Sequence, residues 1–260
     1  MWERPHDGNV KMIQSDRVFT TLRDDILSCR VEPGAKLRIN EIAVSHGVSL
    51  GAVREALSRL GAEGLAIAES QKGYRVTPLS VVELRDLTEA RVEIERIALI
   101  RSVERGDLEW ETGLVGAWHK LSRIDERIPS EGHKLADQWA IAHAAFHQAL
   151  VAASGSARLL QIRAHLYEQA ERYRRYSAPL ANKRDVAGEH LGIFDAAMAR
   201  HAPLAGQLIA EHLQRTASLI VNSSRLPVEK AFESNRARLD PDLNRELVSS
   251  SSRESVECDN

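Results

Sequence analysis

At Pro78 the hydrophobic period of the chain changes, and this constrains the fold more than any other feature of the sequence. Upstream lie short apolar runs separated by turn residues. Downstream, to about residue 224, apolar residues recur only at helical spacing. Such a chain must pair a small mixed head with a larger, all-helical body.

The head is predicted over residues 15–78, after a flexible arm at 1–14 that shows no period. Val18, Phe19, Leu22, Ile26 and Leu27 mark a first amphipathic helix with Ser15 as N-cap, ending before Pro33-Gly34. A short helix with Asn40 as its cap runs to Gly47, and Ser49 caps a third helix through Val53, Ala56, Leu57 and Leu60. LAIAE and YRVTPL, separated by SQKG, form a hairpin. Three helices plus a β-hairpin make a winged helix-turn-helix, whose second motif helix enters the major groove by its N-terminal end. Free N–H groups there favour a phosphate, and Arg54, one turn in, reaches a guanine edge or a phosphate. Lys72, Gly73 and Tyr74 at the hairpin tip suit a phosphate or the minor groove, and Arg59 faces the backbone or solvent. The plain alternative makes Arg54 and Glu55 a solvated surface pair.

The body, predicted over residues 79–225, has helices at about 80–105, 107–128, 134–154, 156–177, 183–200 and 203–223. Short connections imply an antiparallel bundle. The stretch 226–260, with one aromatic residue and a serine run, buries too little apolar surface to order and is expected to be disordered. Cys29 and Cys258 do not make a disulfide scaffold, and no secretory or membrane-spanning segment is visible, so a cytoplasmic protein is expected. Lys and Arg total 35 against 37 Asp and Glu, a net charge of −2. A broad positive field is thereby excluded, and any DNA affinity must rest on a few placed groups.

His143 and His147 lie four apart on one helix and share a face. His190 and His212 lie on the last two helices, and if these are neighbours all four imidazoles converge, a donor set for Zn²⁺ or another late first-row metal. Spacing leaves open that they are core imidazoles with satisfied N–H groups. His6, His46, His119, His133, His165 and His201 are read as ordinary core or surface residues.

The run from Pro33 to Ser80, with G-V-S, V-R-E-A-L, R-L, E-G-L and a basic-Gly wing tip, resembles the signature of the GntR family of bacterial transcription factors. The resemblance implies that Arg54 contacts operator DNA. Many members carry Ser-Arg-Thr-Pro where this chain has Ser49-Leu50-Gly51-Ala52, so the arginine's base-contacting role does not pass to Leu50. Asn40, Ser49 and Arg38 are substitutes for positioning contacts. EARVEIERIAL, AHAAFHQALVAASGSARL and EHLGIFDAAMARHAPLAGQLIAEHL are similar to the FCD effector domain of the FadR-type subfamily. That resemblance implies a metal held by His147, His190 and His212, with His143 where relatives have Asp. It further implies Zn, with Ni or Mn as alternatives, open to a small carboxylate effector that Arg91 clamps; a salt bridge from Arg91 to Glu95 is the competing role.

Together these readings predict a ligand-responsive, homodimeric DNA-binding regulator of the repressor type, with double-stranded operator DNA as partner and no membrane. The alternatives are a metal-free bundle sensing an acyl or aromatic ligand, and a metal-dependent hydrolase. The hydrolase lacks any H-E-x-x-H motif, so no enzymatic role is predicted.

Overall fold

A computed structural model describes residues 14–69, 73–127, 136–177, 184–222 and 226. The arm at 1–13, Lys72, the tail beyond Leu226, His6, His133 and Cys258 lie outside them.

In the head, α1 (Gln14–Leu27), α2 (Ile39–His46) and α3 (Leu50–Ala62) surround a core of Val18, Leu22, Ile26, Val53, Leu57 and Leu60. Gly47 adopts φ 62° after α2, a left-handed turn that glycine takes without Cβ strain, and its N–H closes onto the Ala43 and Val44 carbonyls. Ser49 then caps α3, its Oγ accepting from the Ala52 N–H at 3.2 Å. Two expected caps are corrected. Ser15 lies buried inside α1, which already includes Gln14, and its hydroxyl has no partner among the described residues. Arg38, not Asn40, occupies the N-cap of α2, because the helix begins two residues earlier, at Ile39, and Arg38 makes no side-chain capping bond.

The hairpin is β2 (Ala66–Glu69) with β3 (Gly73–Val76). A further strand was missed from sequence: β1 (Lys36–Leu37) pairs antiparallel with β3, Leu37 opposite Tyr74, giving the order β1-β3-β2. Two residues are too few to show a period.

The body contains α4 (Val81–Arg105), α5 (Leu108–Asp125), α6 (Ala136–Val151), α7 (Ala157–Ser177), α8 (Val186–Met198) and α9 (Ala202–Asn222). Ser80, Asp107, Ser156 and Asp185 each accept a backbone N–H at a helix start, which fixes the register of α4, α5, α7 and α8. The 25-residue α4 is the spine. It packs most extensively on α9, where Gly206 permits close approach; a Cβ there would sit 2.9 Å from Ile100 Cδ1. Leu99, Leu114, Leu121, Phe146, Leu150, Ile193 and Ile209 fill the centre. No helix among the described residues is long and apolar enough to cross a membrane.

Head and body meet along α7. Arg23 of α1 donates from Nε to Glu63 Oε2 at 2.7 Å and from Nη2 to Glu168 of α7. Arg172 of α7 donates to the Thr77 carbonyl at 2.8 Å, and the Ser80 N–H points to the Tyr173 hydroxyl at 3.5 Å.

Candidate functional site

Four buried histidines from three helices converge in the body. His143 and His147 come from α6, His190 from α8 and His212 from α9, and one ring nitrogen from each lies within 4.8 Å of all the others. The i,i+4 spacing on α6 brings the first two Nε2 atoms to 3.1 Å. Asp185 caps α8 and sets the register that turns His190 inward.

The electrostatics keep these rings neutral. Burial lowers His143 and His147 well below the ordinary histidine range, and the neighbouring rings and arginines add to it. Burial, with His212 and Arg184, pulls His190 down to about 2. His212 is lowered by burial, although the hydrogen bond to Glu189 opposes the shift.

Hydrogen bonding fixes the outward nitrogens. His212 Nδ1 donates to Glu189 Oε2 at 2.9 Å, which leaves its Nε2 lone pair for the cluster. Burial opposes charge on Glu189, but hydrogen bonds from Arg184 and His212 outweigh it and hold the carboxyl well below the usual range. His143 Nδ1 lies 3.2 Å from the Tyr167 hydroxyl.

Neither nitrogen of His190, nor His147 Nδ1, has a partner among the described residues. Burying unpaired imidazole nitrogens costs on the order of 1–3 kcal/mol each, so the three unpaired nitrogens of His190 and His147 favour a partner shared by the cluster. A divalent ion fits the chemistry: neutral imidazoles are its ligands, and two nitrogens about 2.1 Å from one ion lie roughly 3.0–3.4 Å apart.

A cavity of about 200 Å³ opens beside His143 and His212. Arg91, Arg174 and Arg184 line its charged side, and Leu84, Leu213 and Ile220 its apolar side. Arg91 pairs with Glu95 at 3.4 Å, but this is no surface bridge: Glu95 is 1% exposed and is held more closely by Arg163 at 3.0 Å. The Arg91 guanidinium lies over Tyr167, and its Nε has no partner among the described residues. Arg174 lies over Trp139 and pairs with Glu171; Arg184 pairs with Glu189. Arg174, Arg184, Tyr167 and the orienting role of Glu189 were not anticipated from sequence. Only the adjacency of Glu189 to His190 hinted at any of them.

On the head, Arg54 is exposed on α3, with no hydrogen bond or ion pair among the described residues. Ser49 and Asn40 are exposed nearby, Arg38 pairs with Glu41 at 2.7 Å, and Gly73 opens β3 with φ 89°. Arg59 lies along α1, its side chain 42% exposed, bonded to Asp16 at 2.5 Å and lying over Phe19.

A winged helix-turn-helix head on a helical bundle with an internal cavity is the build of a DNA-binding transcription regulator. Residues 14–76 match the bacterial regulatory proteins of the gntR family, and residues 86–215 match the FCD domain. The chain belongs to the GntR family, FCD type.

Among its relatives, the HTH-type transcriptional regulator BphR of Paraburkholderia xenovorans is 40% identical over 207 residues, covering 79% of this chain and 84% of the relative. The HTH-type transcriptional repressor GlaR of Escherichia coli is 36% identical over 200 residues, covering 75% and 90%. A GntR-type regulator from Rhodococcus sp. RHA1 superposes with TM-score 0.65 at 25% identity, covering 82% of this chain and 99% of that one. Escherichia coli McbR/YncC gives the same TM-score at 19% identity, covering 81% and 98%, which shows the shared fold.

Proposed function

We propose that this regulator senses a small carboxylate in a metal-containing bundle and converts its binding into a change in operator affinity. The observation that carries the reading is the His143, His147, His190 and His212 cluster, with neither nitrogen of His190 paired among the described residues, beside a cavity lined by three arginines. The metal is a divalent first-row ion, Zn before Ni or Mn, held by those four residues. When bound it supplies a Lewis-acidic anchor for a carboxylate oxygen, provided its coordination extends beyond four.

The chain's own groups do the rest. Arg91 and Arg174 clamp the carboxylate, Arg184 fixes Glu189 and through it the His212 ring, and Leu84 and Ile220 exclude water from the aliphatic part. Helix α7 carries Glu171 and Arg174 at the cavity and Glu168 and Arg172 at the head, so an effector that moves α7 shifts the head arrangement. On the head, Arg54 reads operator DNA, supported by Ser49, Asn40, Arg38, Lys72 and Gly73. The protein acts in the cytoplasm as a homodimer on two half-sites, and as a repressor, the sense in which the relative GlaR is named.

The test is elemental analysis of purified protein, then a thermal-shift screen of dicarboxylates, sugar acids and acyl compounds with and without chelator. A metal-dependent shift by a carboxylate supports the reading. A chelator-insensitive shift by an acyl compound favours a metal-free bundle.

A further inference from the structure

Leu50 is the first residue of α3, and its side chain is 45% exposed. The buried face of α3 is built by Val53, Ala56, Leu57 and Leu60, and Leu50 takes no part in the head's apolar cluster. Its exposure therefore owes nothing to folding. Leu50 and Arg54 are four apart and share one stripe of the helix, the stripe that also presents the Arg54 guanidinium, exposed and without a hydrogen bond or ion pair among the described residues. Between them Gly51 adds no side chain, and a Cβ there would meet only Ser49 Oγ at 3.8 Å, which leaves a shelf where a base edge can approach closely.

We propose that Leu50 is a specificity-determining residue that reads the 5-methyl group of a thymine in the major groove, one to two base steps from the position Arg54 contacts. This rests on the reading that α3 enters the groove by its N-terminal end. The major-groove edges of guanine, adenine and cytosine offer donors and acceptors that leucine cannot satisfy, and covering them costs their hydration. Thymine alone places an apolar group there. Leu50 and Arg54 stand about 6 Å apart along the helix, roughly one to two base steps of about 3.4 Å. Leu50 thus selects T·A where a polar side chain would select another pair.

The test uses the full-length protein and a duplex that this protein selects from a random pool. Each thymine of a half-site is replaced singly by deoxyuridine, which removes only the methyl group. One replacement per half-site is expected to weaken wild-type binding about fourfold, the worth of one buried methyl. Leu50→Ala, which removes the contact from both protomers, should bind both duplexes equally and about sixteenfold more weakly than the wild type binds the thymine duplex. Val44→Ala, which trims an apolar side chain 84% exposed on α2, should keep the deoxyuridine effect. Insensitivity of the wild type at every thymine, or an unchanged effect in Leu50→Ala, overturns the proposal, as does loss of the effect in Val44→Ala. If Arg54→Ala also binds with wild-type affinity, it is the entry of α3 into the groove that fails, and not the role of Leu50 alone.

Discussion

Arg172 of α7 donates from Nη2 to the backbone carbonyl of Thr77 at 2.8 Å, a buried bond from the body to the segment that leaves the head. Burial lowers the pKa of this guanidinium, yet it remains a cation, and the Thr77 carbonyl is its hydrogen-bond acceptor. On the same helix, two positions on, Arg174 lines the cavity beside the histidines. Cavity and head orientation are therefore joined by one rigid element.

Arg172→Ala leaves the Thr77 carbonyl buried without its donor. Stability should fall by about 1–3 kcal/mol in chemical denaturation, and residues 77–80 should become more open to limited proteolysis. DNA binding should persist while its response to the effector is lost, which gel shifts with and without a shifting carboxylate read directly.

Glu189→Gln removes the anionic acceptor that orients His212. All four imidazoles remain, yet metal affinity should drop roughly 10–100-fold in competition with a chromophoric chelator. His190→Ala and His212→Ala each remove a donor and should leave purified protein with little metal by elemental analysis. An unchanged metal content in all three variants would sink the site.

Arg91→Ala should leave metal content unaltered and abolish the carboxylate-induced thermal shift. Its guanidinium stacks on Tyr167 and is the least tightly paired cation facing the cavity.

Arg54→Ala should cost about 1–3 kcal/mol per half-site, enough to abolish specific binding in a gel shift, with the circular dichroism spectrum intact. The side chain is exposed and makes no hydrogen bond or ion pair among the described residues, so folding should not suffer.

Asp125 gives a pH prediction. Burial raises its pKa, although the hydrogen bond from Trp139 Nε1 opposes the shift, so the fold disfavours its charge. The folded pKa lies above the unfolded one, so this residue's contribution to stability rises as pH falls through the folded pKa. Asp125→Asn keeps an acceptor for Trp139; it should be more stable than wild type at pH 7 in denaturant titrations and lose that part of the acid-side gain.

The sequence by itself determined the local structure. Turn residues and the 3.6 period marked the helices of head and body to within a few residues, because both are written in neighbours along the chain. The pairing of His143 with His147 was legible for the same reason, since four residues make about one helical turn. Caps were less legible: Ser49 and Ser80 act through short oxygens next to a helix start, but Ser15 and Asn40 look the same and sit inside helices. Strand β1 escaped notice because two residues gain strand geometry only from their partner, β3.

The tertiary structure alone decided the rest. That His190 and His212 meet the α6 pair depends on which faces of α6, α8 and α9 pack together, and packing joins residues far apart in sequence. The Glu189 bond that sets the His212 tautomer, the three arginines around one cavity and the use of α7 by both cavity and head arise the same way. Leu50 shows the converse: its residue type was plain in the sequence, but its exposure beside an exposed Arg54 appears only once the apolar face of α3 is spent on the core.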